Sequence, residues 1–144
     1  MNPIALAAAL ALTLATPALA EGPVLHDFDG SFEDATFAVE SAIVGQGLVI
    51  DYTSHVGDML ARTGADVGSD VKIFDAADIF LFCSAVVSRQ VMEADPMNIQ
   101  HCPYAIFVAE KDGKVQIGHR DYPEGPMDAV EQLLNSIATE ATAF

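Results

Sequence analysis

The chain has 144 residues, 51% of them hydrophobic, with 21 acidic against 6 basic side chains and a formal net charge of −15. That length holds one domain rather than two separate cores. So few cations cannot neutralise a run of phosphates or anionic headgroups, which excludes nucleic acid and acidic membrane surfaces as partners, and the apolar content excludes wholesale disorder.

The first segment reads as a leader. Met1 to Ala20 carries no charged side chain, and Ile4 to Ala15 is almost wholly Ala and Leu. Such a run enters a translocon but is too short to anchor across a bilayer of about 30 Å. Pro17 breaks it, Ala18-Leu19-Ala20 offers small residues to a signal peptidase, and cleavage is expected before Glu21. The usual Lys or Arg near the amino terminus is missing, and an uncleaved membrane anchor is the competing reading. Residues 1–20 are thus expected to be a signal peptide, and residues 21–144 a single domain, periplasmic or secreted, with no membrane attachment after cleavage.

The rest alternates between strand and helix patterns. Val24 to Asp29 reads as a short first strand. Ser31 precedes Asp34 by one turn, an approximate capping box, and Ala35, Ala38, Val39, Ala42 and Ile43 follow at helical spacing up to Gly45 and Gly47. Leu48 to Thr53 reads as a strand, Gly57 to Arg62 as a short helix, Gly64 to Ser69 as a loop, and the unbroken apolar run Ile79 to Phe82 as a buried strand. Ser84 to Glu93 is a helix with Val87, Val91 and Met92 inward and Pro96 beyond its end. Tyr104 to Glu110 and Lys114 to Gly118 flank an Asp112-Gly113 turn that supplies positive φ, which makes a hairpin. Pro126 to Ala138 closes the chain as an amphipathic helix. This order predicts an α+β two-layer sandwich, a mainly antiparallel sheet with helices packed on one face.

Polar chemistry concentrates between Cys83 and Tyr104. Cys83 falls where a strand gives way to a helix, where free N–H groups favour a thiolate. Ser84, Ser88, Met92 and Asp95 recur at helical spacing beside it. Arg89 is the one cation of the segment, suited to anchor an anion. The loop Asp95 to His101, extended, spans roughly 23 Å, enough to bring Cys102 back beside Cys83; a strand starting directly from the helix end would keep the sulfurs a strand length apart. Three readings of the pair stay open. One is a structural disulfide worth about 3 kcal/mol in an oxidising compartment. Another is a metal or haem site of Cys83, Cys102, His101 and Met92, the soft ligand set of copper. The last is a pair of free redox or acyl-transfer thiols, against which stands the lack of a Cys-x-x-Cys.

Three other histidines carry weaker signals. His26 reads as an exposed residue of the chain start, His55 as a site edge or a strand end, and His119 as a surface ion pair beside Arg120 and Asp121. No nucleophile elbow, phosphate loop or His-Glu-x-x-His occurs, so no catalytic residue is named and enzymatic activity stays open.

The runs Ile79-Phe-Leu-Phe-Cys-Ser-Ala, Ser88-Arg89, Met92-Glu-Ala-Asp-Pro96, Asn98-Ile99 and Cys102-Pro-Tyr104 resemble the DUF302 family. So do Phe107-Val-Ala-Glu110, Asp112-Gly-Lys-Val115 and Gly118-His-Arg120. The likeness spans about Ser31 to Ile137 and looks like an exported branch, with Phe-Cys-Ser-Ala and Cys-Pro-Tyr where other branches carry a Phe-Gly-Asn-Pro type turn and a Leu-Pro-Leu type strand start. The resemblance implies a compact TT1751-like α+β fold with an antiparallel sheet backed by helices, often dimeric, and no established activity. Cys83, Ser84, Ser88, Arg89, Asp95, Asn98, Cys102, Pro103 and Tyr104 match its motif. They form the candidate ligand or redox site, for a metal, haem (copper or haem as cofactor) or a sulfur-containing small molecule. The alternative is a disulfide-closed module whose acidic surface meets a cationic partner such as a cytochrome, with a homodimer as a further expected partner state.

Overall fold

The computed structural model describes residues 22–144. The expected leader, residues 1–20, lies outside the described residues. Five strands and four α-helices follow in the order β1 (Val24–Phe28), α1 (Phe32–Gly45), β2 (Val49–Ser54), α2 (Val56–Thr63), β3 (Ala76–Cys83), α3 (Ala85–Ala94), β4 (Tyr104–Lys111), β5 (Lys114–His119) and α4 (Asp128–Thr142). The strands form one sheet in the order β1-β5-β4-β3-β2 with every pairing antiparallel. The expected α+β sandwich is the fold observed.

Alternation along the strands creates the two faces. In β4, Tyr104, Ile106 and Val108 are buried while Ala105, Phe107 and Ala109 are only half covered. The buried set, with Phe80, Phe82, Val115 and Ile117, packs beneath α1 and α4. Those helices pack against each other, and each buries small side chains, Ala35, Ala38 and Ala42 in α1 and Ala138 and Ala141 in α4. Small side chains here let two helices share one face of a five-stranded sheet. Burying the Val, Ile, Leu and Phe side chains around them, at about 1.5–3 kcal/mol each, is the main stabilising contribution.

Local signals act as their chemistry dictates. Ser31 Oγ accepts from the Asp34 N–H at 3.1 Å and Asp34 Oδ2 accepts from the Ser31 N–H at 3.4 Å, a full capping box on α1. The β4–β5 turn has Asp112 at φ 53° and Gly113 at φ 76°, the positive pair a two-residue hairpin turn requires.

Boundaries differ where tertiary packing outweighs pattern. β3 starts at Ala76, earlier than the apolar run, because its pairing with β4 extends to Ala76 opposite Glu110. The final helix starts at Asp128 rather than Pro126 and runs on to Thr142, drawn out by burial of Ala141. The stretch expected as extended loop, Asp95 to His101, is instead a 3-10 helix over Pro96–His101. Asp95 caps it by accepting from the Met97 N–H at 2.9 Å, with Pro96 in the first turn, where its missing N–H costs nothing. The chain still returns: such a segment rises about 2 Å per residue, close to what α3 has travelled outward at about 1.5 Å per residue.

Candidate functional site

The β3–β4 register sets Phe82 opposite Tyr104, so the last residue of β3 and the residues just before β4 arrive together. Cys83 and Cys102 have their Cα atoms 6.7 Å apart and are joined as a disulfide, and no free cysteine remains among the described residues. The peptide that follows, Cys102–Pro103, is cis. Of the three readings of the pair, this state is the structural one. A thiolate is what binds a soft metal or attacks a substrate, and a disulfide sulfur offers none. The expected copper or haem set of Cys83, Cys102, His101 and Met92 is not available in this oxidised state and would require reduction. Among the described residues no group of three or more His, Cys, Asp or Glu side chains is placed to hold a metal ion.

The neighbouring candidates separate into two kinds. Ser84, Asp95 and Asn98 are spent on backbone. Ser84 Oγ caps α3 by accepting from the Val87 N–H at 3.3 Å, Asp95 caps the 3-10 helix, and Asn98 Nδ2 donates to the Val91 carbonyl at 2.8 Å at the end of α3. Ser84 and Asp95 each satisfy an orphan N–H at a helix start, and Asn98 adds a second donor to the Val91 carbonyl, which also accepts from the Asp95 N–H at 3.2 Å. Arg89, expected to anchor an anion, instead forms an exposed i,i+4 ion pair with Glu93. Its charge is matched on its own helix, because Glu93 sits one turn away on the same side.

The others point inward. Ser88 and Tyr104 share a hydroxyl–hydroxyl hydrogen bond of 3.1 Å that ties α3 to the fully buried Tyr104. Met92 packs half-buried against the core. His101 lies edge-on to Tyr122, with ring centroids 5.6 Å apart, and Tyr122 lies edge-on to Tyr104 at 6.5 Å. An open groove of about 410 Å³ runs along α3 past Ala85, Ser88, Arg89, Met92 and Glu93. The Ser88–Tyr104 bond and the three rings thus form one connected series from α3 through Tyr104 and Tyr122 to His101.

Tyr122 is the residue that sequence reasoning missed. It is 4% exposed and its hydroxyl has no hydrogen-bond partner among the described residues. Burial pushes its phenol up to about 12. Its only sequence signal was an aromatic in an otherwise polar stretch before Pro123, a common pattern in surface turns.

Two histidine expectations are corrected. His119 is wholly buried and not a surface ion-pair partner: its Nδ1 faces the Arg120 carbonyl at 2.8 Å and its Nε2 the Asn135 side-chain amide at 3.3 Å. It is the last residue of β5, on the face that α4 covers, which removes it from Asp121. His26 is not a loose chain-start residue but sits inside β1, opposite Ile117, with Nε2 buried and unpartnered among the described residues. His55 follows β2 and stands at the N-cap position of α2; its Nδ1 bonds Asp78 Oδ1 at 2.8 Å, and that hydrogen bond, reinforced by the Asp78 charge, holds its pKa above the ordinary imidazole value.

Comparison with known proteins bears on family and fold. A family model described as "Domain of unknown function DUF302" matches residues 26–143. No curated protein matches the chain. Among solved structures, an uncharacterized conserved DUF302 protein from Bacillus stearothermophilus is similar at 16% identity and a TM-score of 0.68, covering 85% of this chain and 99% of that one. At that identity the likeness speaks to the fold alone.

Proposed function

The chain belongs to the DUF302 family, a domain of unknown function, and from that premise we propose that it is an exported, disulfide-braced binding domain whose acidic surface docks a cationic protein partner such as a cytochrome. The observation that carries this reading is the charge balance. Only 6 Lys and Arg stand against 21 Asp and Glu. Of those cations Lys72, Arg89 and Lys114 are already held by Asp75, Glu93 and Asp27. The remaining acidic surface is a field for a partner of opposite sign, which speeds encounter and selects by charge. A disulfide suits an oxidising compartment, where the leader would deliver the mature chain.

The test is a titration of the purified oxidised protein with a lysine-rich cytochrome c at rising salt. Association should weaken about tenfold or more between low and physiological ionic strength, because exposed charges are screened over about 8–10 Å. Binding that ignores salt, or no binding at low salt, overturns the proposal.

A second reading is confined to the reduced protein and rests on one observation, the meeting of both sulfurs, with His101 the residue before Cys102 in the chain. Freed thiolates there would be candidate ligands for copper or haem, with Met92 as an auxiliary. Metal analysis and haem spectra, taken with and without a reductant, decide it: uptake only after reduction supports it, and no uptake in either state removes it.

A further inference from the structure

At the opposite end of β3 from the disulfide, the segment from Gly57 to Asp75 folds around a cleft of about 380 Å³. Leu60 and Ala61 of α2 line one wall, and Val71, Phe74 and Asp75 line the other. Both walls are fixed in advance. A Cβ on Gly57 would meet the Ala77 backbone nitrogen at 2.5 Å, so glycine alone lets α2 seat this close to β3. The floor is closed by the Ser69 N–H donating to the Gly64 carbonyl at 2.9 Å and the Gly68 N–H donating to the Ala65 carbonyl at 3.1 Å. The second wall is tied to the β4–β5 hairpin, where the Asp75 N–H donates to the Glu110 carbonyl at 2.8 Å and the Asp112 N–H donates to Asp75 Oδ2 at 2.6 Å. A cleft of this volume, with α2 and Asp75 held in place, is of small-ligand size and lowers the ordering cost of binding.

Its charges choose the ligand. Lys72 is the one cation lining it, and its ammonium is bonded to Asp75. Asp70 stands at the cleft with no ion-pair partner among the described residues. A carboxylate entering here would meet Asp70 and Asp75, whereas an ammonium would find a charge-assisted partner in Asp70 while its apolar body meets the apolar lining. We propose that this cleft binds a small amphipathic amine, its apolar body against Leu60, Ala61 and Phe74 and its ammonium at Asp70. The proposal does not rest on the acidic surface docking a protein, and either stands if the other fails.

The test titrates the purified protein with hexylamine, hexanol and hexanoate while backbone amide resonances are followed. Hexylamine should bind tightest and shift amides of Gly57 to Gly64 and Ser69 to Asp75. Asp70→Asn, at an exposed position, should cut the preference for hexylamine over hexanol about tenfold, since a charged hydrogen bond is lost. Ala61→Phe, also exposed, should fill the cleft and weaken all probes together. Equal binding of the amine and the carboxylate overturns the proposal, as do shifts that map elsewhere, an Ala61→Phe variant that binds normally, or no binding by any probe. A cytochrome c that binds without displacing hexylamine leaves the two sites distinct; one that displaces it with the same amide shifts shows the cleft to be a protein contact and overturns the small-amine assignment.

Discussion

Cys83 and Cys102 are separated by 19 residues in sequence, and their bond removes the loop freedom that the unfolded chain would otherwise have. Replacing both with serine should lower stability by about 3 kcal/mol in chemical denaturation; a double variant as stable as the parent would show the bridge to be energetically idle. Tyr122 carries a different prediction. In the unfolded chain its phenol ionises near 10, in the fold at about 12. Between those values only the unfolded state loses the proton, so stability is unaffected below pH 10 and falls as pH rises above it. Tyr122→Phe should remove that alkaline loss, together with the late step in the tyrosinate absorbance titration. At neutral pH it should cost little, because the hydroxyl it deletes has no partner.

Helix ends decide where the elements stop and start. Ser31 and Asp34 satisfy each other's backbone donors at the start of α1, a helix that supplies five buried core residues. Ser31→Ala should cost about 1 kcal/mol, read as a shift of the denaturation midpoint with an unchanged slope. A change in slope would mean that the cap organises more than its own turn. At the end of α3 the economy is tighter: Asp95 ends one helix and caps the next, and Asn98 reaches back to the Val91 carbonyl. These side chains steer the chain from α3 into β4, and so set where Cys102 meets Cys83.

Charge acts on the molecule as a whole. A net charge of −15 makes the folded surface repel itself, and compaction raises that repulsion relative to the unfolded chain. Added sodium chloride should therefore raise the thermal midpoint in the range where screening is incomplete, then level off as the screening length falls to about 3 Å near 1 M. A midpoint that falls with salt would mean that the ion pairs of Lys72, Arg89, Lys114 and His55 outweigh the like-charge repulsion. This outcome is disfavoured because exposed pairs of this kind are worth only about 0–1 kcal/mol each.

The order of strands and helices, the Ser31–Asp34 cap, the Asp112–Gly113 hairpin and the acidic character of the surface were all legible in the sequence, because each depends on neighbours within a few positions or on composition alone. The bonding state of Cys83 and Cys102 was not, nor were the burial of His119, Tyr122 and the His26 Nε2 atom, or the cleft between α2 and the chain leading into β3. Those follow from which face of the sheet a residue meets and from the register of β3 on β4. Register couples positions far apart in the chain, and only the packed fold gives it a single value.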